Sequence, residues 1–143
     1  MSKSNLHETA YLKLYFQNIA MPNVGDAGGL QPSAVAGNLY VCLYTSDPTD
    51  SDAGVEAAYT GYARKAVPRS VLGWDVTGNV ASNVDELLFP VNTGAQETIS
   101  HWAIRSASAA GDLVGSGALT GTVDIDPGDT PRCAAGLCTV TEN

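Results

Sequence analysis

The chain is poor in charge, and in basic residues above all. Charged side chains make up 15% of its 143 residues, where ordinary soluble domains carry about 25%. Seven Lys and Arg stand against fifteen Asp and Glu, a net charge of -8. A chain so acidic is repelled by nucleic acid and by anionic membranes, so neither is expected as a partner. It has no run of eighteen apolar residues, so no segment is expected to cross a bilayer as a helix. Met1-Ser2-Lys3-Ser4 lacks the apolar core of a secretory signal, and synthesis in the cytoplasm is the expectation.

Histidine and cysteine are scarce too, with two and three copies. Their spacing fits no zinc site. Cys42 falls in a strand pattern and reads as a small buried apolar side chain. Cys133 and Cys138 flank Ala134-Ala135-Gly136-Leu137 and approach each other only if a tight turn lies between them. Reduced thiols are the simplest expectation for a cytosolic chain. There is no Walker sequence and no dinucleotide fingerprint. His101, beside Trp102 in a strand pattern, reads as structural, because a triad needs a base oriented beside a nucleophile. Glu86 and Glu97 are weak candidates for a sugar-hydrolysing acid pair. The clusters Asp47, Asp50, Asp52 and Asp124, Asp126, Asp129 read as solvated turns, since neither matches the twelve-residue calcium loop. No enzyme, cofactor or metal is expected.

What is present is β pattern. From Asn38 to Thr45 the residues Leu39, Val41 and Leu43 share one face and Tyr40, Cys42 and Tyr44 the other, the two-residue period of a strand. Both faces are apolar, which predicts burial on both sides. Thr45 to Gly54 then holds nearly every turn-forming residue type. Extended chain is expected again from Tyr59 to Ser70, ending near Gly73-Trp74. Beyond it lie Asp75 to Thr77, Glu86 to Phe89, Thr98 to Arg105, Asp112 to Leu119, Val123 to Ile125 and Leu137 to Thr141, separated by turn signals. Ahead of all this, Leu12, Tyr15, Phe16 and Ile19 recur with helical spacing, predicting one helix from Asn5 to Ala20 capped by Asn5 with Glu8. A loop punctuated by Gly and Pro follows from Met21 to Gly37 and is long for a connection. The expected fold is all-β, a jelly roll or β-sandwich of about seven or eight short strands with one N-terminal helix. Residues 1–37 would form a helix and extended loop arm, and residues 38–143 the β domain. Leu12, Tyr15, Phe16 and Ile19, with Val24 and Leu30 of the loop, are the candidate interface, either covering the sheet or docking on another chain.

The succession Leu39-Tyr40-Val41-Cys42-Leu43-Tyr44-Thr45-Ser46-Asp47-Pro48, then Ala58-Tyr59-Thr60-Gly61-Tyr62-Ala63-Arg64, then Gly73-Trp74 resembles a family of small virion proteins of tailed bacteriophages and prophages, often labelled tail fibre proteins. Pro22 to Asp26, Ala81-Ser82-Asn83, Ser116 to Leu119 and Gly128 to Arg132 extend the likeness over nearly the whole chain, which departs from the pattern at Cys133 and Cys138. Size and pattern are also similar to jelly-roll cement, or decoration, proteins. The resemblance implies a non-enzymatic capsid cement protein on the capsid exterior, bound to the major capsid protein and to itself as a dimer or trimer. The alternative is a tail fibre, baseplate or receptor-binding component, for which Tyr59, Tyr62 and Trp74 would have to form an exposed carbohydrate platform, although aromatics at strand ends more often belong to core or interface. Long fibres rest on heptads or repeats, and this sequence has neither.

Overall fold

The computed structural model describes residues 2–143. Helix α1 (Asn5–Gln17) is followed by β1 (Asn38–Tyr44), β2 (Lys65–Pro68), β3 (Trp74–Thr77), β4 (Val80–Asn83), β5 (Leu87–Leu88), β6 (Glu97–Arg105), β7 (Leu113–Ile125), β8 (Arg132–Cys133) and β9 (Thr139–Thr141). The all-β class with one N-terminal helix is what the sequence predicts; the strands number nine rather than seven or eight. They form a four-stranded sheet in the order β2-β1-β6-β7, a three-stranded sheet β3-β4-β9 and a ladder β5-β8.

The chain divides into two compact units. The first comprises Met1–Asn38, Val67–Glu86 and Cys133–Asn143, the second Leu39–Ala66 and Leu87–Arg132. The segment expected as an arm over residues 1–37 is thus part of a unit that also draws on two later stretches of chain.

In the first unit α1 begins one residue earlier in its capping than predicted. Ser4, extended at ψ 149°, caps it by accepting from the His7 N–H. The helix ends at Gln17, not Ala20, because Asn18 turns left-handed at φ 56° and returns its N–H to Lys13 O. Leu12 and Phe16 are buried, and the Phe16 ring meets Trp74 edge-on at 4.9 Å between centroids. Gln17 Nε2 donates to Trp74 O at 2.8 Å, and Thr9 Oγ1 to Gly78 O at 2.6 Å. The helix therefore lies on the β3–β4 hairpin, whose register runs from Trp74 against Asn83 to Thr77 against Val80. Buried Asn83 ties in the C-terminal stretch, donating to Ala134 O and accepting from the Cys138 N–H. Cys133 and Cys138 are joined by a disulfide, against the expectation of reduced thiols; the turn at Gly136, with φ +77°, brings them together.

The loop from Met21 to Gly37 is organised by its own bonds. Met21 and Leu30 exchange backbone hydrogen bonds of 2.9 Å in each direction. Asp26 Oδ1 accepts from the N–H groups of Gly28 and Gly29. Gly29 has φ +61°, and a Cβ there would lie 2.0 Å from Met21 O, so only glycine closes this turn.

In the second unit β1 is the inner strand predicted from its two apolar faces: Leu39, Val41, Cys42, Leu43 and Tyr44 are all buried. It pairs with β6 from Tyr40 against Arg105 to Tyr44 against His101. The two segments expected as Asp112 to Leu119 and Val123 to Ile125 are one strand, β7, of 13 residues. Its register against β6 shifts between Ile99 and His101, in the gap between the two expected segments, where Leu119 to Thr122 bulge against Ser100 alone, and again between Ile104 and Arg105. The expected extended segment from Tyr59 to Ser70 narrows to the four residues of β2, because Tyr59 to Arg64 are spent on turns and side-chain bonds described next.

Candidate functional site

Two arginine-centred arrangements organise the side chains. In the first unit Arg69 reaches the C-terminal end of α1, where the last carbonyls of a helix have no partners of their own. Its Nε donates to Tyr15 O at 2.6 Å and a terminal nitrogen to Leu14 O at 2.9 Å. The other terminal nitrogen donates to Ala36 O at 3.1 Å, and the guanidinium lies 5.9 Å from the Tyr15 ring. The last turn of α1 holds no basic residue, so Arg69 supplies the positive charge that the helix dipole favours.

In the second unit Arg105 donates to Tyr44 Oη at 2.8 Å, to Asp52 Oδ2 at 2.9 Å and to Gly111 O at 2.9 Å, with a further ion-paired contact to Asp52 Oδ1. Arg64 grips Glu56 through two bonds of 2.8 and 2.7 Å and donates to the carbonyls of Ala107 and Ala110. Tyr62 completes the set: its hydroxyl donates to Glu56 Oε1 at 2.9 Å and accepts from the Leu43 N–H at 3.1 Å. Burial alone would raise Glu56, but the hydrogen bonds from Arg64 and Tyr62 outweigh it and hold the carboxyl below its ordinary 4.5. Burial and the nearby Glu56 push the Cys42 thiol up to about 12, which keeps it neutral and unreactive. Burial likewise raises Tyr62. The carboxylates and phenols in this network are satisfied by arginine, by one another and by backbone.

The residues singled out in the sequence fall in three groups. Of the candidate interface, Leu12 and Phe16 are core and face inward. Tyr15 and Val24 are half-buried, while Ile19 is 42% and Leu30 47% exposed. The proposed carbohydrate platform does not form, since Trp74 and Tyr59 are buried and Tyr62 is engaged by Glu56. Tyr59 packs edge-on against Tyr62 at 5.3 Å and donates to Pro90 O. Of the acids, Glu97 accepts from the N–H groups of Ala58 and Tyr59, and Asp52 belongs to Arg105. Asp124 accepts from Thr98 Oγ1 and Asp126 from Gln96 Nε2. His101 bonds Ser100 Oγ through Nδ1 at 2.9 Å and has Asp47 3.9 Å from Nε2. Among the described residues no three His, Cys, Asp or Glu converge as metal ligands, and no helix is long and apolar enough to cross a membrane.

Sequence reasoning missed the roles of Arg64, Arg69 and Arg105. The available signal was rarity: in a chain with seven basic residues, arginines set inside apolar and aromatic segments are placed for bonds that a flexible lysine makes poorly. The exposed apolar side chains are the other feature without an internal role. Leu6, Val35, Leu72 and Leu137 in the first unit and Val55 and Val123 in the second are each more than half exposed.

No curated protein matches the chain. A family profile described as podophage GP4 fiber I protein gp80 matches residues 2–141, and with nearly the whole chain covered the chain belongs to that family.

Proposed function

We propose that this member of a phage fibre family is a non-enzymatic structural subunit of the tail fibre assembly, holding other virion proteins, copies of itself among them, in place. Membership of the family makes it a structural component of a bacteriophage virion; the family description also favours the fibre over the capsid surface. The single observation that carries the reading is the match over residues 2–141. The side-chain chemistry agrees with it. The carboxylates, phenols and guanidiniums that are drawn together are consumed by internal bonds, as in Arg105 with Asp52 and Tyr44 or Arg64 with Glu56. What is left for partners is a low-charge surface bearing exposed Leu and Val side chains. With its best-placed aromatics in the core, the chain is a connecting or positioning module rather than the sugar-reading tip.

A second reading, a cement protein bound to the major capsid protein on the capsid exterior, is favoured by one observation. The chain has no heptad or repeat from which a fibre shaft is built. Copy number separates the two. Quantitative mass spectrometry of purified virions is expected to return a few tens of copies or fewer per particle for a fibre subunit, because a tail has low-order symmetry. A copy number close to that of the major capsid protein would overturn the fibre reading in favour of cement. Absence from the virion would overturn both.

A further inference from the structure

The loop from Met21 to Gly37 is ordered mainly by hydrogen bonds. Asn18 and Ser33 clasp its two arms: the Asn18 side chain donates to Ser33 O at 2.9 Å and accepts from the Ser33 N–H at 2.8 Å. Next to the clasp lies the reciprocal bridge between Met21 and Leu30. Arg69 holds the far end, where its side chain donates to Ser33 Oγ at 3.3 Å and Ala36 O at 3.1 Å, and its backbone N–H donates to Gly37 O at 3.0 Å. Buried Met21 anchors the loop in the core. Ile19, Leu30 and Val35 do not, standing 42%, 47% and 83% exposed. Each lies within two residues of one of these ties, which keep the three in one patch. The backbone beneath them is already fixed, so covering them costs little ordering entropy.

The patch is also nearly free of charge. From Leu14 to Ser46 the one charged residue is Asp26, whose Oδ1 accepts from the Gly28 and Gly29 N–H groups. Arg69, bound to neutral carbonyls and a hydroxyl rather than to a carboxylate, offsets it. The net charge of -8 is therefore carried by the rest of the chain. Two copies of so acidic a chain repel each other over most of their surface. They meet at least cost where charge is missing and the side chains are aliphatic. Such a face is complementary to itself, because aliphatic groups have no pattern of donors and acceptors to match. A basic partner would instead be drawn to the acidic faces.

We propose that copies of this chain meet through the face carrying Ile19, Leu30 and Val35, packed around the axis of a closed dimer or trimer. Around such an axis the same patch of each copy faces inward and meets its own equivalent. This makes specific the self-contact included in the proposed function. It is read from the loop and not from the place of the protein in the virion, so the isolated full-length chain tests it independently of copy number, and its failure leaves the fibre reading standing.

The experiment is sedimentation velocity on the full-length wild type and on Val35→Asp and Leu30→Asp, with Leu6→Asp as the control. Leu6 lies on α1 and is as exposed as Val35, at 82%. The wild type is expected to sediment as a dimer or trimer at about 100 µM. Val35→Asp and Leu30→Asp bring like charges together at the axis, and each is expected to weaken association at least about tenfold, while Leu6→Asp changes nothing. Salt is expected to tighten the contact, because screening shortens the repulsion between the acidic chains and leaves apolar packing intact. A chain that stays monomeric at about 100 µM overturns the proposal and leaves the face to a different virion protein. An oligomer that Val35→Asp leaves intact, that Leu6→Asp weakens equally, that salt dissolves or that grows without closing overturns it too. Val35→Asp decides even if Leu30→Asp disturbs the bridge to Met21.

Discussion

Arg69 and Arg105 do the same thing, gathering acceptors from distant parts of the chain, but with acceptors of different kinds. Arg69 in the first unit binds neutral carbonyls at the end of a helix, whereas Arg105 in the second binds a carboxylate and a phenol. Around Arg69 the remaining cohesion comes from apolar packing of Leu12, Phe16 and Trp74. Around Arg105 and Arg64 it comes from charge pairs set against the inner strand β1. The difference teaches where each unit is vulnerable. The first depends chiefly on side-chain volume; the second depends on ionisation as well.

The largest effect expected from testing this contrast is at Trp74. Trp74→Ala opens a cavity under α1 and should cost about 3–5 kcal/mol, read as a lower denaturation midpoint. Amide exchange should then rise in Asn5–Gln17 while β6 stays protected. Trp74→Phe should cost far less. The buried Trp74 Nε1–H has no hydrogen-bond partner, and removing an unsatisfied donor recovers part of what the smaller ring loses.

Arg105→Ala comes next, at about 2–3 kcal/mol, because it strands the Tyr44 hydroxyl in the core while leaving Asp52 near water. Exchange should now rise along β1 and β6 and not in α1. Equal loss in both units from either substitution would break the comparison. Reduction of the Cys133–Cys138 disulfide should cost about 2 kcal/mol, the entropy of so short a loop, and the loss should register at β9. No loss on adding a reductant, in a thermal melt, would mean that Asn83 and the β4–β9 pairing hold that stretch without the disulfide.

The smallest effect should be the pH dependence that Glu56 and Cys42 give the second unit. Glu56 has its folded pKa depressed, so its contribution is present above the unfolded value of 4.5 and is lost as pH falls through the lower folded value. Cys42 is raised, so its contribution is full below the unfolded value of 9.0 and fades as pH rises towards about 12. Melting followed between pH 3 and 5 should therefore show Glu56→Gln with a shallower acid loss than the wild type. A parallel acid loss in the two proteins would remove Glu56 as its source.

Elements with one dominant period were legible. The double-faced apolar run at Leu39 to Tyr44 predicted an inner strand, and the spacing of Leu12, Tyr15, Phe16 and Ile19 predicted the helix. Ends were less legible, because Ser4 displaced Asn5 as the cap and Asn18 turned the chain before Ala20. β4 was invisible in Val80-Ala81-Ser82-Asn83, whose mixed residues carry no alternation; its partners in β3 and β9 make it a strand. Aromatic content says nothing about direction, so the sequence left Tyr59, Tyr62 and Trp74 open to a surface platform while their place at strand ends favoured core or interface. Trp74 and Tyr59 turned out to be core.

The sequence by itself determined the β class, the single N-terminal helix, the burial of β1 and the likeness to phage virion proteins, because these rest on periodicity and on ordered local motifs. Tertiary structure alone decided that Arg69 caps a helix more than fifty residues away, that Arg105 finds Asp52, and that Cys133 meets Cys138. Those outcomes depend on which distant segments are brought within hydrogen-bonding reach, and no local pattern encodes that distance.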